Sequence, residues 1–146
     1  MFKNILIPTD GSELSRRAIQ AACDLAKTHH ARITGIHVIP DYHLLIAYEG
    51  AFDPVTEERI EEEAKTRAQM YLEFIRKTAD DLGIQCDTVC ETGDHPHDAI
   101  LKTANARKCD LIVMTSHGRK GLAAMILGSE TRKVLTHSRI PVLVVR

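Results

Sequence analysis

The sequence predicts a doubly wound α/β domain, in which a five-stranded, mostly parallel sheet carries helices on both faces. Three observations support this. Short apolar runs rich in β-branched residues alternate with segments of helical period, in the order β-α-β-α-β-α-β-α-β. At 146 residues the chain is long enough for one well-buried core and needs no second domain, so residues 1–146 are expected to form one unit. The loop-forming residues Gly, Ser and Asp gather after the first and fourth strands, where folds of this class place ligands.

The first strand is Asn4 to Pro8, NILIP; Thr9-Asp10-Gly11-Ser12 then has the composition of a loop running into a helix N-cap. From Glu13 to about Thr28 the residues Leu14, Ala18, Ile19, Ala21, Ala22, Leu25 and Ala26 recur at helical spacing. Ala31 to Pro40, ARITGIHVIP, is the second strand. Residues 41–55 have no clear period, and their apolar Leu44 to Tyr48 is expected to pack on the domain body or on a partner. Thr56 to about Leu82 is the longest helical pattern, with Ile60, Ala64, Ala68, Tyr71, Leu72, Ile75 and Ala79 as its inner stripe. Glutamates crowd its first turns, where the helix dipole favours anions, and Gly83 is a natural stop.

Ile84 to Glu91, IQCDTVCE, alternates apolar and polar residues, which predicts a half-covered or edge strand. Asp94-His95-Pro96-His97 opens a helix with proline in its first turn, running to about Ala106. Asp110 to Met114 is the fourth strand, a helix follows from about Ser129 to His137, and Ile140 to Val145 closes the sheet.

Composition narrows the function. The formal net charge is −1 and Lys and Arg are scattered, which disfavours nucleic-acid binding. Apolar runs fall far short of the ~20 residues of a spanning helix, and no secretory segment follows Met1, so a cytoplasmic protein without membrane contact is expected. Cys86 and Cys90, on one face of a strand, stand about 13 Å apart, too far for a disulfide or a shared zinc ion. All four cysteines are expected to be buried structural thiols. His95 and His97, flanked by Asp94 and Asp98, alternate around a helix start and do not converge on one ion, so helix capping is expected and no metal site is predicted.

The chemistry concentrates in residues 115–129, TSHGRKGLAAMILGS. Gly118 follows the fourth strand almost directly and Gly128-Ser129 precedes a helix, so freed amides meet a helix N-terminus, a natural place for an anion. Ser129 could cap that helix or offer its hydroxyl to a phosphate, and a plain glycine turn with a serine cap is the competing reading. Neither G-x-x-x-x-G-K-[ST] nor G-x-G-x-x-G after the first strand is present, which argues against a P-loop NTPase and a nicotinamide dehydrogenase.

Three stretches, ILIPTDGSELSRRAI, IHVIP and VMTSHGRKGLAAMILGSETRKVLTHSRIPVLVV, resemble the universal stress protein family, and the resemblance spans essentially the whole chain. The nucleotide-binding branch of that family has the signature Gly, two residues, Gly, nine residues, Gly, then Ser or Thr. Here Gly118, the nine residues Arg119 to Leu127, Gly128 and Ser129 match it, while Thr115 replaces the first glycine. A negative φ would accommodate that threonine and a positive one would strain it. The resemblance implies a Rossmann-like sheet of the adenine nucleotide alpha hydrolase kind, order 3-2-1-4-5, and ATP as ligand, with Mg2+ as a possible companion. It further implies that Asp10 faces adenine and ribose, that Pro8 and Thr9 shape the wall beside Met114, and that Val38 meets the adenine edge through its backbone. Gly118, Gly128, Ser129 and Thr131 would hold phosphates.

His117, Arg119 and Lys120 could offset phosphate charge, Arg119 first because a guanidinium suits phosphate geometry. Glu130, in the first turn of the same helix, either competes for the helix field or helps hold a divalent cation. Asp10 alternatively caps the turn into the first helix. No nucleophile, base and orienting group stand together in the sequence, so no catalytic residue is assigned and at most slow hydrolysis or self-phosphorylation is expected. Two functions remain: a stress-response regulator that binds adenine nucleotide, or a regulatory dimer of the same fold without one. A homodimer through the apolar final strand, residues 140–146, is expected in either case.

Overall fold

The computed structural model describes residues 1–42, 54–118 and 127–146. Leu44 to Tyr48, Arg119 and Lys120 therefore lie outside the described residues. The elements are β1 Asn4–Pro8, α1 Glu13–His29, β2 Arg32–Ile39, α2 Pro54–Asp81, β3 Cys86–Thr92, α3 Pro96–Ala106, β4 Leu111–Thr115, α4 Ser129–His137 and β5 Val142–Val145. All strand pairs are parallel and the order is β3-β2-β1-β4-β5, as the resemblance implied.

Strand alternation sends successive residues to opposite faces and so divides the core in two. Ile5, Ile7, Ile33, Leu111 and Val113 meet Ala18, Ile19, Ala22 and Ala26 of α1 and Leu72, Ile75 and Ala79 of α2. Leu6, Ile36, Ile112 and Met114 meet Ile100 and Ala104 of α3 and Val134 of α4 on the other face. Each fully buried isoleucine contributes about 1.5–3 kcal/mol of transfer free energy, so the central strands carry the sheet. Ser12 caps α1 by accepting from Ser15 N at 3.1 Å, and Gly83, at φ +69, ends α2 as its position predicts.

Polar groups tie the amino-terminal edge of the sheet. The Asp110 carboxylate accepts from Lys3 N at 2.8 Å and Asn4 N at 3.0 Å. Buried Asn4 donates from Nδ2 to the Arg107 carbonyl at 2.9 Å and accepts from Thr34 Oγ1 at 3.0 Å, so its amide is satisfied at both ends. Three strands are thereby pinned at one end.

Two expectations need correction. Cys23 and Cys109 are buried, but Cys86 is half-buried and Cys90 is exposed, because β3 is an edge strand whose outer end is exposed among the described residues. At the start of α3, His95 occupies the N-cap position without a side-chain cap bond, so the histidines do not cap that helix as expected. Among the described residues no helix is long and apolar enough to cross a membrane.

Candidate functional site

The chain leaves β1 toward β2 and leaves β4 toward β5, in opposite directions across the sheet, so the loops after β1 and β4 diverge and open a crevice at the carboxyl edge. A cavity of about 700 Å³ occupies it, within the range of small-molecule and cofactor sites. Its walls are Pro8, Thr9 and Asp10 after β1, Ile36 to Pro40 along β2, Met114 and Thr115 of β4, Gly118, and Gly128 to Thr131 at the start of α4. Tyr42, Ser15 of α1, Ala64, Arg67 and Tyr71 of α2, and Pro96 and Ile100 of α3 complete it. A second hollow of about 380 Å³ is lined by Glu91 to His95, the segment running into α3, and by Asp98, Ala99, Lys102, Thr103 and Ala106 of that helix.

The loop after β1 is shaped by its own polar groups. Thr9 N donates to the Ile36 carbonyl at 2.9 Å, and His37 Nδ1 donates to the Thr9 carbonyl at 2.8 Å, locking the loop to β2. Asp10 Oδ1 accepts from Ser12 N at 2.9 Å, an Asx turn, so Ser12 and not Asp10 is the helix cap. Gly11 has φ +76, and a Cβ there would lie 2.1 Å from the Tyr71 ring, so both conformation and space require glycine. The second carboxylate oxygen of Asp10 approaches Gly118: a Cβ on Gly118 would stand 2.5 Å from it. The two loops predicted to form the site therefore touch, and they touch through a glycine.

After β4, Thr115 is a buried strand residue paired with Val145. Among the described residues, positive φ outside glycine is confined to His30 and Lys108, so Thr115 sits without strain where a glycine was anticipated. Its carbonyl accepts from Thr131 Oγ1 at 2.8 Å. Ser116 N donates to the Val145 carbonyl at 2.9 Å, and the Ser116 carbonyl accepts from Gly128 N at 2.6 Å. The two ends of the glycine segment are thus stitched together, and a Cβ on Gly128 would lie 3.1 Å from His117 Cα.

Gly128, with φ −55 and ψ 151, is the N-cap of α4 and makes no side-chain cap bond. Ser129 is the first helical residue and does not cap it. The amides of the first turn of α4 thus keep the open character that attracts anions. His117 is absent from the cavity wall, and its Nδ1 lies 2.9 Å from Ser116 Oγ.

Glu130 lies on the wall but is engaged elsewhere. Its Oε2 accepts from His97 N at 2.9 Å and His97 Nδ1 at 3.0 Å, and its Oε1 accepts from Lys133 Nζ at 2.9 Å. Burial pushes the Glu130 carboxyl up, but the hydrogen bonds from Lys133 and from the backbone and ring of His97 outweigh it and hold the group below the ordinary carboxylate range. Sequence reading missed this pair, whose members lie on different helices, and missed Arg67, which looks like an outer-face residue of α2. Tyr71, read as part of the inner stripe, is half-buried, lines the cavity and meets the His37 ring edge-on at 5.2 Å.

The sequence model of the universal stress protein family matches residues 1–146. The universal stress protein YxiE of Bacillus subtilis is 35% identical over all of this chain and all of its own length. The solved structure of MJ0577, from Methanocaldococcus jannaschii, is 33% identical, covers 99% of this chain and 96% of its own, and superimposes with a TM-score of 0.79. Two more distant solved relatives share the fold: a universal stress protein in complex with cAMP, 23% identical with a TM-score of 0.73, and one from Archaeoglobus fulgidus in complex with dAMP, 17% identical with a TM-score of 0.71. They cover 97% and 98% of their own chains, respectively, and 99% of this one. With a full-length family match and a relative at 35% identity end to end, the chain belongs to the universal stress protein family.

Proposed function

We propose that the protein is a stress-response regulator that binds an adenine nucleotide, ATP in its full form, at the carboxyl edge of the sheet. One observation carries the reading: a single cavity is lined both by the apolar residues Ile36, Val38, Ile39 and Met114 and by Gly118 and Gly128, which present bare backbone beside the first turn of α4. The cAMP and dAMP complexes of the two distant relatives are consistent with it.

In this reading the apolar end takes the base, with the backbone of Val38 at its edge, and Asp10 accepts from the ribose hydroxyls. The amides of Ser129, Glu130 and Thr131 and the hydroxyl of Ser129 receive phosphate, while Thr131 Oγ1 stays on the Thr115 carbonyl and keeps β4 and α4 in register. Bound Mg2+ would supply charge neutralisation between phosphates. Nucleotide binding is the proposed activity, with at most slow hydrolysis or self-phosphorylation beside it. A homodimer through β5 is part of the proposal, supported by the edge position of β5 and the exposure of Leu143.

Thermal unfolding with rising Mg-ATP tests the reading. Ligand bound only to the native state at a hundredfold excess over Kd adds about 2.7 kcal/mol, or roughly 8 °C in Tm for a chain of this size. No shift at millimolar Mg-ATP, with no nucleotide released on denaturation, would sink it in favour of a nucleotide-free regulatory dimer. Light scattering checks the dimer, for which a mass of one chain is the contrary result.

A further inference from the structure

We propose that His97 is a positioning residue for the phosphate end of the site, holding the Glu130 carboxylate against the start of α3 so that the first turn of α4 meets its ligand without a competing anion. The inference rests on the nucleotide reading above and deepens it.

Glu130 is the second residue of α4 and stands on the cavity wall. A carboxylate there, left to itself, would take the positive end of its own helix and repel a phosphate from the same place. Instead it reaches to the start of the neighbouring helix. It accepts the backbone N–H of His97, in the first turn of α3, at 2.9 Å and the ring Nδ1–H at 3.0 Å. Since α3 has no side-chain cap of its own, Glu130 supplies an anion to α3 and leaves the end of α4 open. The His97 ring is in turn fixed: its side chain is only 13% exposed, Nε2 lies 3.4 Å from Asp98 Oδ1, and the ring stacks on His137 at 6.2 Å with His95 edge-on at 6.0 Å. Lys133 holds the other Glu130 oxygen at 2.9 Å. The charged and titratable groups around the ring are thus Asp98 and His95 on its own helix and Glu130, Lys133 and His137 on α4.

The test is calorimetric titration of the wild type, His97→Ala, Glu130→Gln and the double variant, each with Mg-ATP and with adenosine. Adenosine has the base and ribose but no phosphate, so it reports damage to the rest of the cavity. Expected is an ATP affinity about fivefold weaker in His97→Ala, the scale of one charge at a helix end, with adenosine affinity unchanged. Glu130→Gln should restore ATP affinity in the His97→Ala background, and alone should bind ATP at least as tightly as wild type. Equal losses for ATP and adenosine, no loss at all, or no rescue would overturn the inference. Should His97→Ala fail to fold, the single Glu130→Gln variant decides, because weaker ATP binding there would make the carboxylate a ligand contact and overturn the inference. Wild type that binds neither molecule removes the nucleotide reading and this inference with it, whereas wild-type binding followed by any contrary variant result removes this inference alone.

Discussion

Replacing Gly118 with alanine tests the contact that joins the two loops of the site. The new Cβ would stand 2.5 Å from Asp10 Oδ2, where ordinary contact begins at 3.4 Å, so the carboxylate must retreat by about 0.9 Å. That movement breaks the hydrogen bond from Ser12 N to Asp10 Oδ1, and a bond to a charged group contributes about 1.5–3 kcal/mol when fully formed. Asp10 is only half-buried, so water recovers part of the loss and the expected cost in folding is about 1 kcal/mol. Binding suffers more. If Asp10 accepts from the ribose, losing that bond costs about 1.5–3 kcal/mol, or roughly 10- to 150-fold in ATP affinity. Calorimetric titration measures it, and urea unfolding separates it from stability. In an Asp10→Ala background the clash is gone, so Gly118→Ala should then cost little and the two changes should be strongly non-additive. Unchanged ATP affinity in Gly118→Ala, or additive effects in the pair, would refute the reasoning.

Gly11→Ala combines a left-handed backbone with a collision at 2.1 Å from the Tyr71 ring, and should lower stability by about 2–5 kcal/mol in urea unfolding; a loss below about 1 kcal/mol would contradict it. Because the Glu130 carboxyl is held below its ordinary value, its stabilisation is fully present above the unfolded pKa of 4.5 and is lost as pH falls through the lower folded value. The Tm gap between wild type and Glu130→Gln should therefore be steady near neutrality and close in acid, and a gap that persists at about pH 3 would count against the bridge. Burial pushes the Cys23 thiol up to about 12 and Cys86 up to about 11, while Cys90 is exposed. A thiol reagent should modify Cys90 first in the native protein, and a fast phase that survives Cys90→Ser would show otherwise.

Much of the fold could be read because its signals are local. Runs such as NILIP and DLIVM are apolar on both faces, as central parallel strands must be, and the stripe of α2 names the residues that reach the core. The strand order came from family resemblance, since periodicity does not say which strands are neighbours. Asp10, Gly118 and Gly128 could be expected near one crevice because the loops after β1 and β4 part at the switch in strand order, and all three line the cavity there. The start of α4 at Ser129 was legible, but whether Ser129 or Gly128 takes the cap position was not, because backbone dihedrals decide between them. Thr115 drew attention as a departure from a motif, yet its φ is that of a strand residue and needs no glycine. The pairing of His97 with Glu130 depends on the side-by-side packing of α3 and α4, and Cys90 is exposed on the edge strand β3. No single segment records the first fact, whereas the alternation within IQCDTVCE already pointed to the edge position behind the second.

The carboxylate of Asp110 and the amide of Asn4 hold three strands at the edge away from the cavity. Chain termini usually fray, but here the amides of Lys3 and Asn4 should exchange slowly with deuterated solvent, and Asp110→Ala should release them. Strand register is then set at one rim of the sheet and ligand choice at the other. Such a separation makes the cavity rim graftable: its loops can be exchanged for those of another protein of this fold while the anchored edge keeps the strands aligned.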